Sequence, residues 1–139
     1  MTRLGQDLGQ AEVEGLLARG PGEAAAFLPP NASPARLAET LVALANTHGG
    51  TVVLGAAASG RPVGVEDGAV AVESVRAAGL LVTPPLLLPA AVLVEIAGKS
   101  LCLAVVPPGM PHVYSLNGRY LGRTGARNRL LSAAELTAL

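Results

Sequence analysis

The sequence predicts an α+β fold: a mixed sheet with hairpins, packed against two to four helices, in one domain over residues 1–139. Three observations predict it. Residues 33–50 read as a helix punctuated at both ends, with Ser33-Pro34 opening it and Gly49-Gly50 closing it. Ala91–Ile96 and Ser100–Val106 are β-prone runs separated by a turn at Gly98-Lys99. Asn117-Gly118, a dipeptide favoured in two-residue hairpins, marks a second reversal. Hairpins make neighbouring strands antiparallel, which favours α+β over a doubly wound sheet.

The elements follow in order. Residues 1–22 supply an N-terminal helix and linker: Ala11–Arg19 carries Val13, Leu16 and Leu17 on one side and stops at Gly20-Pro21. Glu23–Leu28 is extended and ends at Pro29-Pro30. In the next helix Ser33 is the N-cap, and Pro34 takes the first position, where a missing N–H costs nothing. Leu37, Leu41, Leu44 and His48 then recur at helical spacing. Thr51–Leu54, an unbroken β-prone run, reads as a central strand. Ser59-Gly60-Arg61-Pro62 is a turn and Val63-Gly64-Val65 a short partner strand. Asp67 caps a helix reaching about Ala78, with Val70, Val72 and Val75 as its apolar side. Thr83–Pro89 is an extended connector. In the strand after Gly98-Lys99, Leu101, Leu103 and Val105 form one face and Cys102, Ala104 and Val106 the other, so both faces are expected to be buried. Pro107-Pro108 ends it; Asn117-Gly118 separates Val113-Tyr114 from Tyr120-Leu121; Ser132 and Glu135 have capping-box spacing at the start of a last short helix.

Composition narrows the function classes. Half the residues are hydrophobic, yet only 2% are aromatic and 14% charged, so the apolar mass is Ala, Leu and Val. Such a chain hides its surface in a core or against copies of itself, and a homo-oligomer is expected. The single cysteine, Cys102, makes no internal disulfide and anchors no metal cluster; it reads as a core residue. Met1 to Asp7 has no apolar signal region, and the uncharged stretch Ala77–Val94 is interrupted by Gly79, Pro84, Pro85 and Pro89. No membrane association and a cytoplasmic location are the expectation. Net charge is zero, but residues 1–95 hold five basic and nine acidic side chains (net −4), and residues 96–139 five basic and one acidic (net +4). A partner is therefore to be sought at the C-terminal end.

No catalytic site is expected. Phosphate cradles need the order strand, glycines, helix, whereas Gly49-Gly50 lies between a helix and a following strand, at the negative end of the helix dipole. His48 precedes those glycines, where capping is its expected role; His112 sits beside Pro111 with no acid near it in sequence. No serine or cysteine has the flanking pattern of an activated nucleophile. No cofactor and no metal are expected.

Leu44-Ala45-Asn46-Thr47-His48-Gly49-Gly50-Thr51-Val52-Val53-Leu54-Gly55, then a turn and Pro62-Val63-Gly64-Val65-Glu66-Asp67, resembles the hallmark of the Schlafen AlbA-type domain. In that hallmark a helix ends in Ala-x-Ala-Asn-x-x-Gly-Gly, a strand ends in Gly, and a hairpin leads to Val-Gly. Asn46, Thr47, Gly49, Gly50, Gly55 and Gly64 carry the match, as structural positions. Pro84-Pro85, Val106-Pro107, Pro111 to Tyr114 and Arg123-Thr124-Gly125 follow in matching order, so the resemblance spans about residues 23–136. It implies a nucleic-acid-binding module of bacterial transcriptional regulators, DNA rather than RNA being the expected partner; some eukaryotic relatives are RNA nucleases. The family's Glu-x-x-Glu-Phe-Lys stands here as Glu23-Ala24-Ala25-Ala26-Phe27-Leu28, and its Gly-Val-Asp-Asp as Gly55-Ala56-Ala57-Ala58. A nuclease needs clustered carboxylates to hold metal and position water. Alanines in those places speak against one.

The binding candidates are Arg119, Tyr120, Arg123, Arg127, Asn128 and Arg129. Guanidinium groups among small polar neighbours suit phosphate contacts, and Tyr120 can stack on a base. An ordinary solvated hairpin, with inter-subunit salt bridges to the acidic half, accounts for the same residues. The alternative function is a catalytically inert oligomerisation or partner-binding domain of the same fold.

Overall fold

Ser33 Oγ accepts a hydrogen bond from the Arg36 backbone N–H at 3.1 Å, and from that cap α2 runs over Pro34–Ala45. The computed structural model describes residues 9–88 and 91–138. The opening run read for a signal segment, and Pro89 at the end of the expected connector, lie outside the described residues. Before α2 stand α1 (Gln10–Arg19) and β1 (Ala25–Leu28); after it come β2 (Gly50–Leu54), α3 (Gly68–Leu80), β3 (Val92–Ile96), β4 (Lys99–Val106), β5 (Leu121–Thr124), β6 (Arg127–Leu130) and α4 (Ala133–Ala138). The α+β expectation holds, with a mixed sheet and four helices among the described residues.

The main sheet has the order β1-β2-β4-β3, with β1 and β2 parallel and the other pairs antiparallel. The run expected to be central is so: β2 lies between β1 and β4. β4 is buried from Leu101 through Val106, and its two faces serve two cores. Cys102, Ala104 and Val106 join Val52, Leu54 and the buried sides of α2 and α3; Leu101 and Leu103 join Val53, Val94, Ile96 and the α1 residues Val13 and Leu17. A strand of period two covered on both sides is apolar at every position, which is why β4 reads as an unbroken run. Burial pushes the Cys102 thiol up to about 11, so it is a packing residue with little thiolate.

Several boundaries differ from the sequence reading. The first hairpin turns at Ala97-Gly98, with φ of 52° and 76°, and Lys99 already pairs with Ile96. Two successive left-handed residues match the strand twist, and that geometry selects the turn. Val63-Gly64-Val65 is not a strand: the Val63 and Gly64 N–H groups both donate to the Gly55 carbonyl, which no ladder permits. Asp67 caps α3 as expected, accepting from the Ala69 and Val70 N–H groups, but the helix buries Ala71, Val75, Ala78 and Gly79 and leaves Val70 60% exposed. Small residues win that face because the chain approaches closely there: a Cβ on Gly79 would collide with the Leu86 carbonyl. Helix α2 stops at Ala45, short of His48, whose imidazole lies exposed 3.6 Å from the Glu23 carboxylate. Strand β6, whose Arg127-Asn128-Arg129-Leu130 carries no β-prone run, pairs with β5 around Gly125-Ala126.

Candidate nucleic-acid interface

The junction after α2 fixes the C-terminal hairpin to the sheet. Asn46, buried, donates from Nδ2 to the Tyr114 and Leu121 carbonyls at 2.8 and 2.9 Å and accepts from the Tyr114 N–H at 2.7 Å. Thr47 Oγ1 donates to the Ala43 carbonyl and accepts from the Arg123 N–H at 2.8 Å. Gly49 and Gly50 have positive φ, 73° and 147°, and a Cβ on Gly49 would lie 2.5 Å from the Val106 carbonyl oxygen. One on Gly50 would strike the Ala24 carbonyl. Gly55 and Gly64, with φ of 105° and 92°, pass each other closely. All six motif residues thus sit where backbone meets backbone, and the polar two use their side chains on it.

Against this junction lie β5 and β6, and between them, α2 and β1 is a groove of about 490 Å³. Its wall takes Ala26 and Leu28 from β1, Arg36, Glu39 and Thr40 from α2, and Arg123, Arg127 and Asn128 from the hairpin. Ala26 and Leu28, where the resembled family has Glu and Lys, therefore present no charge to it. No group of three or more His, Cys, Asp or Glu side chains that could hold a metal ion occurs among the described residues.

The six candidate residues separate into three environments. Arg123, one of the expected phosphate contacts, is 7% exposed. Its Nε donates to the Gly22 carbonyl, one terminal nitrogen to Asn128 Oδ1 and the other to the Ala25 carbonyl. Burial pushes this guanidinium below the ordinary arginine range, and the charge on Arg36 adds to the effect. Asn128, half-buried, also donates to Thr40 Oγ1, so it is a scaffold contact. Arg119 pairs with Glu39 at 2.9 Å, and Arg129 makes a two-pronged pair with Glu135 while its Nε donates to Thr124 Oγ1. Both pairs lie within the chain. They are solvent-exposed pairs of the kind that contribute about 0–1 kcal/mol and exchange partners readily. Arg127 is exposed and makes no ion pair among the described residues, and Tyr120 is exposed on the hairpin's approach.

Arg36 and Glu39 line the groove yet escaped the sequence reading. They sit on α2 at a spacing of three, beside Thr40, opposite the leucines that identify the helix. That polar face was the available signal.

The family described as Schlafen, AlbA_2 matches residues 23–132. Solved structures share the fold, two of them as follows. The crystal structure of the DIP2311 protein from Corynebacterium diphtheriae superposes with a TM-score of 0.66 at 19% identity, over 90% of this chain and 26% of that one. This chain thus spans about a quarter of that protein's length. The solution NMR structure of an N-terminal domain from Nitrosomonas europaea, of a RecG-related protein named for an ATP-dependent DNA helicase, gives 0.62 at 22% identity over 91% of each chain. Identities this low show the fold alone. No curated protein is significantly similar to the chain.

Proposed function

The chain belongs to the Schlafen AlbA_2 family, and from that premise we propose that it is a nucleic-acid-binding module of a transcriptional regulator, without catalytic activity, contacting the phosphate backbone of DNA. The observation that carries this is the basic groove: three arginines, Arg36, Arg123 and Arg127, share one wall with a single acid, Glu39. Arg36 and Arg127 are exposed and make no ion pair among the described residues. Arg119 and Arg129 flank them in weak surface pairs that phosphate can displace. Tyr120 stands ready to stack on an unpaired base. A neutral chain with four such contacts binds weakly per protomer, with a log–log salt slope of about −3 to −4. Fluorescence anisotropy with labelled duplex DNA, single-stranded DNA and RNA tests it, at low and at physiological salt. Retention that weakens with salt and falls in Arg127→Ala supports the module; no retention at low salt by folded protein ends it.

A second function, self-association, has its own observation. Leu80, Leu81 and Leu87 are 48%, 50% and 77% exposed beside an aliphatic cleft between α3 and the connector. Sedimentation of wild type against Leu87→Glu separates the two readings, because a concentration-dependent oligomer indifferent to nucleic acid favours the second.

A further inference from the structure

A cation removed from water is ordinarily matched by a counter-ion, because hydrogen bonds to neutral oxygens restore only part of the solvation lost on burial. Arg123 breaks that pattern. Its three protein partners are the neutral oxygens of Gly22, Asn128 and Ala25, and no carboxylate pairs with it among the described residues. The acid nearest at hand in the groove, Glu39, is engaged by Arg119. Three bonds leave two of the five guanidinium N–H groups without an acceptor among the described residues. Arg36 and Arg127 add two more positive charges to the same groove.

We propose that this groove seats a single tetrahedral oxyanion, a phosphate, held between the buried Arg123 and the exposed Arg36 and Arg127. Fork-shaped guanidinium groups suit paired contacts to a tetrahedral oxyanion. The groove, at about 490 Å³, is several times larger than one phosphate, so it also has room for a sugar carrying the group. Two sources share that chemistry: free inorganic phosphate, or the terminal phosphate of a nucleic-acid strand. The seat stands on the uncompensated Arg123 and holds whether or not the chain retains nucleic acid along its backbone.

The test is a thermal melt of the full chain in sodium phosphate against sodium chloride at matched ionic strength. Phosphate at about ten times its Kd is expected to raise Tm by about 5 °C. A double variant, Arg36→Ala with Arg127→Ala, should melt as wild type does in chloride and gain nothing from phosphate; both residues are exposed, so the fold survives. A companion anisotropy measurement compares single strands bearing a 5′-phosphate or a 5′-hydroxyl. Tighter binding of the phosphorylated strand by about tenfold assigns the seat to a strand terminus. Equal binding of both strands, with the melt still phosphate-specific, assigns it to free phosphate. Phosphate that stabilises no more than chloride overturns the seat, even where DNA is retained. A phosphate-specific melt with no strand bound keeps the seat and removes the nucleic-acid module.

Discussion

The α2–β2 junction and the β5–β6 hairpin touch each other, yet they use their polar side chains in opposite ways. At the junction the buried and half-buried polar side chains are fully engaged: Asn46 makes three buried bonds and Thr47 two. In the hairpin the arginines form a gradient, from Arg123 bound inside, through Arg129 in a surface pair, to Arg127 with no ion pair among the described residues. The most recognisable motif of the sequence is thus scaffolding. The side chains left over for a partner belong to its less distinctive neighbour, because a group satisfied by its own backbone has nothing to offer a ligand.

The sharpest way to break this comparison is Asn46→Ala. It strips three buried bonds and leaves the Tyr114 N–H and two carbonyls short of partners, a cost of about 4 kcal/mol in urea unfolding. A loss below about 1 kcal/mol would show that water takes over the site and that the junction is no scaffold. Gly49→Ala probes the same region through the backbone, combining a left-handed φ with an overlap on the Val106 carbonyl, and is expected to cost about 3 kcal/mol. On the hairpin side Arg127→Ala should leave stability within about 0.5 kcal/mol. It should nonetheless reduce DNA affinity at low salt about fivefold and flatten the salt slope by about 1. Equal stability loss at Arg127 and Asn46 would erase the contrast.

The smallest effect concerns Glu135. Hydrogen bonds from Arg129, and then from Ser132, hold its carboxyl down at about 2, against an ordinary 4.5. A pKa depressed on folding contributes stability above the unfolded value and loses it as pH falls through the folded one. Wild type and Glu135→Gln should therefore differ slightly at neutral pH and converge between about pH 4.5 and 2. Added salt should shrink the difference, since the pair is exposed.

Much of the fold was legible in residue order because its signals are local. Ser33-Pro34 opens α2, Asp67 caps α3, and Ser132 and Glu135 exchange the reciprocal bonds of a capping box. Each of these acts within three residues of its own position, so spacing alone identifies it. The double burial of β4 was equally plain, as a strand covered on both faces has no polar position to show. The buried side of α3 was not, because Ala71 and Gly79 rather than Val70 fit beneath a connector whose path the sequence leaves open.

The candidate site divides along the same line. By itself the sequence determined that the C-terminal segment is basic and that Ala26 and Leu28 stand where the resembled family carries charge. Only the tertiary structure decided which arginine is interior. Arg123 and Arg127 lie one turn apart on a single hairpin, yet the first is held by Thr47, Gly22 and Ala25, at separations of 76, 101 and 98 residues. Nor does the chain announce that Arg36 and Glu39 of α2 face that hairpin across one groove. Charge is a property of the residue; its burial, its partner and its availability to a ligand are set by chain segments brought together only on folding.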